Sequence, residues 1–365
     1  MTQVERNELE QIKSPPFRIG KYFPNHQNPL TNLIIAEWKV LTRSGEPLTE
    51  QAIQERVGIK LRYVASKDQT VIDMGVEAAK DALKGERNID FVIVSTSFPG
   101  GVHIASEIAQ RLELPKIIPQ DPACVLDVYA ACSGFVRGLG WIKEHDGKFQ
   151  GKRILFVATE KYSDKVVDLK QDGALAIDSS LAQTIFSDGA IALVFTYGQD
   201  IEILASKTRQ FDHIRGIIQM PVDESQMVEP YFYELVDKSP DYFRQQGPRV
   251  FREVLMGIPP FTQECLEKTG IDLSEVQHIV PHQGSGRIVA QLKEQFGKLF
   301  KKDIPVADDM EEGNFSSGSV PKALAKLQEN GEIDPRKVIL LVGFGAGAGL
   351  LASIAAVIIK GTRKN

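Results

Sequence analysis

The feature that most constrains this chain is a strand-and-turn pattern that occurs twice. RILFVATE (153–160) followed by SDGAIALVFT (187–196) is matched in the second half by KVILLVGFG (337–345) followed by GAGLLASIAAV (347–357). Each half ends on an apolar strand, a small-residue turn and a second apolar strand. Each half also arrives there through the same alternation. Helical spacing at 71–85 leads into the continuous apolar run FVIVSTS (91–97), a helix at 103–113, a strand at 124–129 and a helix from 132 to 145. Paired strands near 183–197 and 201–208 close the first half. The second half predicts a helix over 241–268, a strand at 278–281, helices near 285–297 and 318–329, and strands at 337–343 and 350–359. The reading is a duplicated α/β unit with largely parallel, buried sheets, divided as 1–200 and 201–365, whose halves meet at a central crevice.

At 365 residues, 42% hydrophobic and 25% charged, the chain can bury a sizeable core. The formal charge is −5, and no stretch concentrates Lys and Arg with interleaved aromatics, so nucleic acid is not expected as a partner. Cys124, Cys132 and Cys265 are too few and too irregularly spaced for a disulfide framework or a zinc site, which points to a reducing cytoplasm and to no metal or cofactor. The N-terminal MTQVERNELEQIKSPP is polar, and the most apolar run, LLASIAAVII (350–359), is too short to span a bilayer. A cytoplasmic protein without membrane contact is the expectation. Residues 209–250 break the α/β pattern, and the acidic, aromatic stretch 220–243 within them reads as a cap near 209–245.

Within DVYAACSGFVRGLGWIKE (127–144), Cys132 stands where an apolar strand gives way to a helix. Unpaired N–H groups and the helix dipole at that position favour a thiolate, and the surrounding Ala130, Ala131, Ser133 and Gly134 permit a sharp turn with an accessible sulfur. A lone cysteine is ordinarily a packing residue, and Cys124 and Cys265 are read so. His282 ends the strand HIVP at the switch into GSGRIVAQL, a strand's carboxyl end where α/β sites gather. His278 begins the same strand and is expected to be packed or half exposed. Asn314 precedes a Ser/Gly-rich turn and a helix, where asparagine ordinarily caps the chain. GFGAGAG (343–349) fails the dinucleotide spacing and is followed by a strand, but such a turn suits an amide N–H aimed at an oxyanion.

Together AACSGF (130–135), PHQGSGRI (281–288), GNFSSGSVPKAL (313–324) and GFGAGAG resemble the thiolase-fold condensing enzymes, most nearly β-ketoacyl-acyl carrier protein synthase III and its relatives in polyketide and signal-molecule biosynthesis. FSDGAIALVF (186–195), which begins at Phe186, is similar to the family's Phe-Gly-Asp-Gly-Ala segment. QERVGIKLRYVA (54–65) is similar to its Thr-Gly-Ile-x-x-Arg segment. The resemblance implies a thiolase-like α/β fold with duplicated βαβαβαββ halves in αβαβα layers. It implies that Cys132 takes an acyl group from a thioester, while His282 and Asn314 hold the enolate formed as a malonyl-type extender loses carbon dioxide. The N–H groups of Cys132 and of the Gly345-Ala346 turn would form the oxyanion hole. Relatives that move an acyl group to an alcohol or amine tend to carry an acid in place of this asparagine, so Asn314 favours carbon–carbon bond formation.

Three departures bear on substrates. The family's adenine-stacking tryptophan corresponds to Ala52, although Arg56 is retained, which favours a donor on a carrier protein over coenzyme A. The family's asparagine contact to phosphopantetheine is reduced to Ser285. The position that elsewhere sends a phenylalanine into the partner subunit's acyl pocket is Val102, beside His103, which would admit a longer or bulkier chain. The resemblance implies acyl carrier protein or acyl-coenzyme A as partners, Arg252 and Arg287 as docking residues, and a homodimer. The alternatives are a non-decarboxylative or cyclising ketosynthase, a non-catalytic thiolase-fold subunit, and a papain-like Cys-His protease, which the duplicated pattern disfavours.

Overall fold

The computed structural model describes residues 16–25, 27–37, 46–164, 185–211, 217–219, 224–233, 244–346 and 352–362. In chain order the first half contains β1 (Arg18–Tyr22), β2 (Leu30–Thr31), α1 (Asn32–Glu37), α2 (Glu50–Val57), β3 (Leu61–Arg62), α3 (Val71–Leu83) and β4 (Phe91–Ser95). It continues with α4 (Ile104–Arg111), β5 (Val125–Tyr129), α5 (Gly134–Glu144), α6 (Asp146–Phe149), β6 (Arg153–Glu160) and β7 (Gly189–Thr196). The second contains β8 (Ile201–Phe211), β9 (Ile218–Gln219), β10 (Tyr231–Tyr233), β11 (Arg244–Gln245), α7 (Gly247–Thr269), β12 (Val276–Pro281), α8 (Gly286–Phe300), α9 (Ser319–Glu329), β13 (Val338–Ala346) and β14 (Ala352–Gly361).

Local chemistry accounts for the main elements. Thr70 and Asp73 form a reciprocal capping box that starts α3, and Lys84 ends it in the left-handed conformation. Its apolar face, including Met74, Ala78 and Ala82, is fully buried. Every residue of β4 and β5 is buried, as expected of strands covered on both faces. α7 begins at Gly247-Pro248, later than the sequence pattern indicates, because proline is suited to a first helical turn.

Two large sheets form, ordered β1-β7-β6-β4-β5-β10 and β12-β13-β14-β8, beside two small two-stranded ones, β11-β9 and β2-β3. α3 and α4 cover the outer face of the first, α7 with α8 behind it covers the outer face of the second, and α5 and α9 lie between them. The central layer buries Phe135, Val136 and Leu139 of α5 against Phe156 and Ile191 of one sheet and Leu341 and Val357 of the other. The duplication is explicit in the pairing. β1-β7-β6-β4 and β8-β14-β13-β12 both run antiparallel, antiparallel, parallel.

The structure corrects several expectations. Both large sheets are mixed, because each half ends in an antiparallel pair of strands. The segments 183–197 and 201–208 do not pair as strands. β7 and β8 enter different sheets, and a Tyr197–Ile201 bridge closes the short turn between them. β13 continues to Ala346, so Gly343, Gly345 and Ala346 are strand residues rather than turn, whereas Gly347 and Gly349 lie outside the described residues. Of the cap near 209–245, β9 pairs with β11, and β10 adds in parallel to β5 of the first sheet. Residues 209–211 end β8 and Glu224–Gln226 form a 3-10 turn, whereas 212–216, 220–223 and 234–243 lie outside the described residues, as do His26 and His213. Among the described residues no helix is long and apolar enough to cross a membrane.

Candidate active site

Cys132 sits on a one-turn 3-10 helix, Ala131–Ser133, between β5 and α5. Ala131 holds φ at 41°, a left-handed conformation that an alanine keeps only when its surroundings impose it. Here they do. Ser133 donates from its N–H and its Oγ to the Ala130 carbonyl at 3.1 and 2.7 Å. A Cβ on Gly134 would lie 3.1 Å from Ser95 Cβ, so the turn is pressed onto β4.

The second half builds the equivalent turn. Ser316–Gly318 is a 3-10 turn before α9, and Ser316 holds φ at 48°. Asn314 precedes it. Its N–H donates to Ile185 O and its carbonyl accepts from Ser187 N–H, each at 2.9 Å. Its Oδ1 accepts from Ser316 N–H at 2.7 Å and Ser319 Oγ at 2.9 Å. The donor end, Nδ2, makes no bond to a described residue. The asparagine thus caps the turn through its oxygen and keeps an unspent donor on its nitrogen.

His282 continues β12 by one residue, donating its N–H to Val342 O at 2.7 Å. Its Nδ1 is buried without a hydrogen-bond partner among the described residues, and burial pushes the imidazole down to about 3. The ring is therefore neutral at physiological pH.

Cys132, His282 and Asn314 line one cavity of about 450 Å³. Cys132 is half-buried, open towards the cavity, and Ser316 Oγ donates to its sulfur at 3.4 Å. Burial pushes this thiol up to about 12, against the opposing hydrogen bond from Ser316, and the Glu160 carboxylate adds to the rise. That reverses the expectation of a thiol acidified by its helix start. A helix terminus supplies roughly 0.3–1 kcal/mol, less than the ~1.4 kcal/mol of one pKa unit, and enclosure outweighs it.

Phe186, Arg56, Ser285 and Arg287 also line the cavity. Ser285 caps α8, its Oγ accepting from Ile288 N–H at 3.3 Å. Arg287 lies 4.9 Å over the Phe251 ring. Ala52 packs on the small cluster around Ile53, one turn before Arg56. A Cβ on Gly345 would lie 3.0 Å from the Cys132 amide nitrogen, so Gly345 adjoins the turn that carries Cys132. Other expected residues lie elsewhere. Arg252 is exposed and pairs with Glu253 at 2.9 Å. Val102 is exposed and does not line this cavity. His103 is buried and caps α4, with Nε2 on Pro230 O at 2.8 Å and Nδ1 accepting from Ser106 N–H at 3.2 Å, so its ring is committed to structure. His278 is packed, bonded to Glu332 O at 3.1 Å. Cys124, just before β5 rather than within it, donates to Ile118 O at 3.3 Å, and Cys265 is in the core.

Sequence reasoning missed Tyr162, whose ring stacks on Phe186 at 3.9 Å and lines the cavity. It also missed Glu160, Ser97 and Ser316, a buried polar group behind the sulfur. One signal was available: RILFVATE carries the apolar run ILFVA, and a carboxylate ending a strand buried from Ile154 onward needs a reason.

Comparison with known proteins places this geometry. The 3-oxoacyl-[acyl-carrier-protein (ACP)] synthase III profile matches residues 126–210 and its C-terminal counterpart residues 266–359. The β-ketoacyl-[acyl-carrier-protein] synthase III of Streptomyces lividans is 31% identical over 341 residues, 90% of this chain and 90% of its own. That of Methylococcus capsulatus is 28% identical over 305 residues, covering 82% and 88%. The crystal structure of the priming β-ketosynthase from the R1128 polyketide biosynthetic pathway superposes with a TM-score of 0.72 at 28% identity, covering 94% and 95%. With two helix-start turns of a duplicated thiolase fold meeting at one cavity and this likeness along the whole chain, the protein belongs to the β-ketoacyl-[acyl-carrier-protein] synthase III family of condensing acyltransferases.

Proposed function

We infer that Cys132 is acylated by a thioester donor and that His282 and Asn314 then promote a decarboxylative Claisen condensation with a malonyl-type extender. One observation carries this reading: the neutral imidazole of His282 and the amide of Asn314, whose Nδ2 makes no bond to a described residue, share a cavity with the thiol. An enolate is stabilised by neutral donors fixed before charge develops, and His282 with Nε2 protonated and Asn314 Nδ2 are such donors. The N–H groups of Cys132 and of the adjoining Gly345-Ala346 stretch supply the oxyanion hole for attack on the acyl-enzyme. The nucleophile belongs to the half 1–200, the histidine and asparagine to 201–365.

The donor is an acyl-carrier protein in preference to acyl-coenzyme A. Ala52 offers no ring for adenine, while Arg56 and Arg287 place cations at the cavity lining. The protein acts as a cytoplasmic homodimer in which Val102 faces the partner's acyl pocket. Intact-protein mass spectrometry tests the reading, using matched carrier-protein and coenzyme A donors with Cys132→Ser alongside. An adduct lost in the variant, and faster from carrier protein, is expected. An adduct that survives Cys132→Ser, or none from any donor, overturns it. Product analysis with a malonyl extender then separates decarboxylative chemistry from the direct joining of two acyl chains.

A further inference from the structure

Behind the thiol lies a buried chain of hydroxyls that ends on a carboxyl group. Cys132 Sγ, Ser316 Oγ, Ser97 Oγ and Glu160 Oε1 are linked by steps of 3.4, 2.9 and 3.0 Å. Tyr162 OH braces the middle of the chain, 3.2 Å from Ser316 Oγ and 3.0 Å from Ser97 Oγ. Ser97, Ser316, Tyr162 and Glu160 are each no more than 1% exposed. The carboxyl also accepts from the N–H groups of Ser97 at 3.0 Å and Ser317 at 3.1 Å. Both turns and the ends of β4 and β6 therefore converge on Glu160.

We propose that Glu160 is the proton store for Cys132, exchanging a proton with the sulfur through Ser316 and Ser97 in each catalytic cycle. The inference rests on Cys132 being the acylated nucleophile. In acylation the sulfur pair forms a bond to the donor's carbonyl carbon, and the donor's own C–S bond breaks. The thiol proton passes to Ser316 Oγ as the Ser316 proton passes to Ser97 and the Ser97 proton to Glu160. The departing donor thiolate, an ordinary thiol of pKa about 8.5, takes its proton from solvent water. In condensation the extender carboxylate leaves as carbon dioxide, and its electron pair becomes the carbanion that attacks the acyl carbonyl. Cys132 departs with the C–S pair, and Glu160 returns the proton along the reversed chain. Serine hydroxyls rotate freely enough to serve both directions.

Two further observations support the assignment. Burial holds the imidazole of His282 down at about 3, so it is a poor resting place for a thiol proton. Burial pushes Glu160 up to about 7, against the hydrogen bonds from Ser317 and Ser97, where a carboxyl group can both take and return a proton. The ionisable groups around Glu160 are few. Cys132 faces it from the turn after β5, and Tyr162 follows its own strand. Asp188, beside β7, turns to the N–H groups of Ala65 and Tyr162 at 2.8 Å. Lys161 turns to Asp164 at 2.9 Å.

The test is the pH dependence of the Cys132 acylation rate, read by rapid quench and intact mass with an acyl-carrier-protein donor. Glu160 accepts a proton only when ionised, so the wild-type rate should rise through about pH 7 and level off above it. Glu160→Gln should lose the rise and fall about 100-fold above it. Ser316→Ala cuts the first link while leaving the carboxyl and its backbone donors in place, and should show the same flattened profile even if Glu160→Gln does not fold. Wild-type profiles in both variants, or a Ser316→Ala rate that falls with the rise intact, overturn the relay. An adduct that persists in Cys132→Ala overturns the nucleophile reading instead.

Discussion

A Cβ placed on Gly345 would lie 3.0 Å from both the Cβ and the amide nitrogen of Cys132. The last residues of β13 thus run in contact with the Cys132 turn, and a methyl group at 345 fits only if that turn gives by a few tenths of an ångström. Gly345→Ala should remain folded, losing about 1–3 kcal/mol as an overpacked contact does. Its acylation rate should fall by more than the ten-fold that simple crowding of one site produces, because the displaced amide belongs to the proposed oxyanion hole. Denaturant unfolding and adduct formation, measured on the same preparation, check the two effects separately.

His282 and Asn314 should separate the half-reactions. His282→Ala and Asn314→Ala are each expected to leave Cys132 acylation within a few-fold of wild type while lowering extender decarboxylation by roughly 10²–10³, the loss typical of one oxyanion donor. Release of labelled carbon dioxide from the extender, measured beside acyl-enzyme formation, is the readout. Equal losses in both half-reactions would assign these residues to positioning the thiol.

Buried titratable groups give stability opposite slopes in two overlapping windows below neutrality. His282 drops from 6.5 to about 3 on folding, so the unfolded chain alone takes up this proton between those values, and stability is lost as the pH falls through them. Glu160 rises from 4.5 to about 7, so the folded state holds the extra proton, and this stabilisation is lost as the pH rises through about 7. Thermal melts across pH should therefore show a shallower acid limb for His282→Asn and, between about pH 4.5 and 7, a stability that rises more steeply with pH for Glu160→Gln than for the wild type.

The periodicity of the chain shows most of the fold, for a local reason. β4 and β5 are buried at every position, so their apolar runs carry the sheet assignment without knowledge of partners. The small-residue turn at Cys132 is legible in the same way. Partner choice is not local: β7 and β8 are consecutive strands, yet Arg18–Tyr22 takes one and Ala352–Gly361 the other. The polar group behind the thiol was equally hidden, since Ser97 and Ser316 stand 219 positions apart. The thiol's acidity depended on enclosure by those distant segments, which a helix start does not reveal.

The two arginines proposed for docking differ in their surroundings. Arg287 lies over Phe251 and lines the cavity, whereas Arg252 is held by neighbouring Glu253. Arg287→Glu should raise KM for a carrier-protein donor about ten-fold and steepen with falling salt, with kcat largely kept, because steering charges act on encounter. Arg252→Glu should have the smaller effect. A small pantetheine thioester, compared across both variants, shows whether the loss belongs to the carrier or to the arm.

Lys322 governs the segment that presents Asn314. It is 4% exposed, and its ammonium donates to Asp309 Oδ2 at 2.6 Å and pairs with Glu312 at 3.0 Å, tying α9 to the chain just before Gly313-Asn314. Asp309 N–H in turn donates to Gln283 Oε1 at 2.9 Å, next to His282. One ion cluster therefore braces the approaches to both proposed enolate donors. Lys322→Met removes the cation while keeping the bulk, leaving Asp309 with only the half-exposed Lys326 at 3.2 Å. Breaking a buried pair in this way costs about 3 kcal/mol, the low end of the usual range because Lys326 remains. Adding Asp309→Leu should restore much of that stability, since no uncompensated charge is then buried, but it should not restore decarboxylation, because the brace on Asn314 is still gone. Unfolding free energy and carbon dioxide release, measured on the single and double variants, should therefore move apart. Recovery of both together would mean that the cluster serves stability alone.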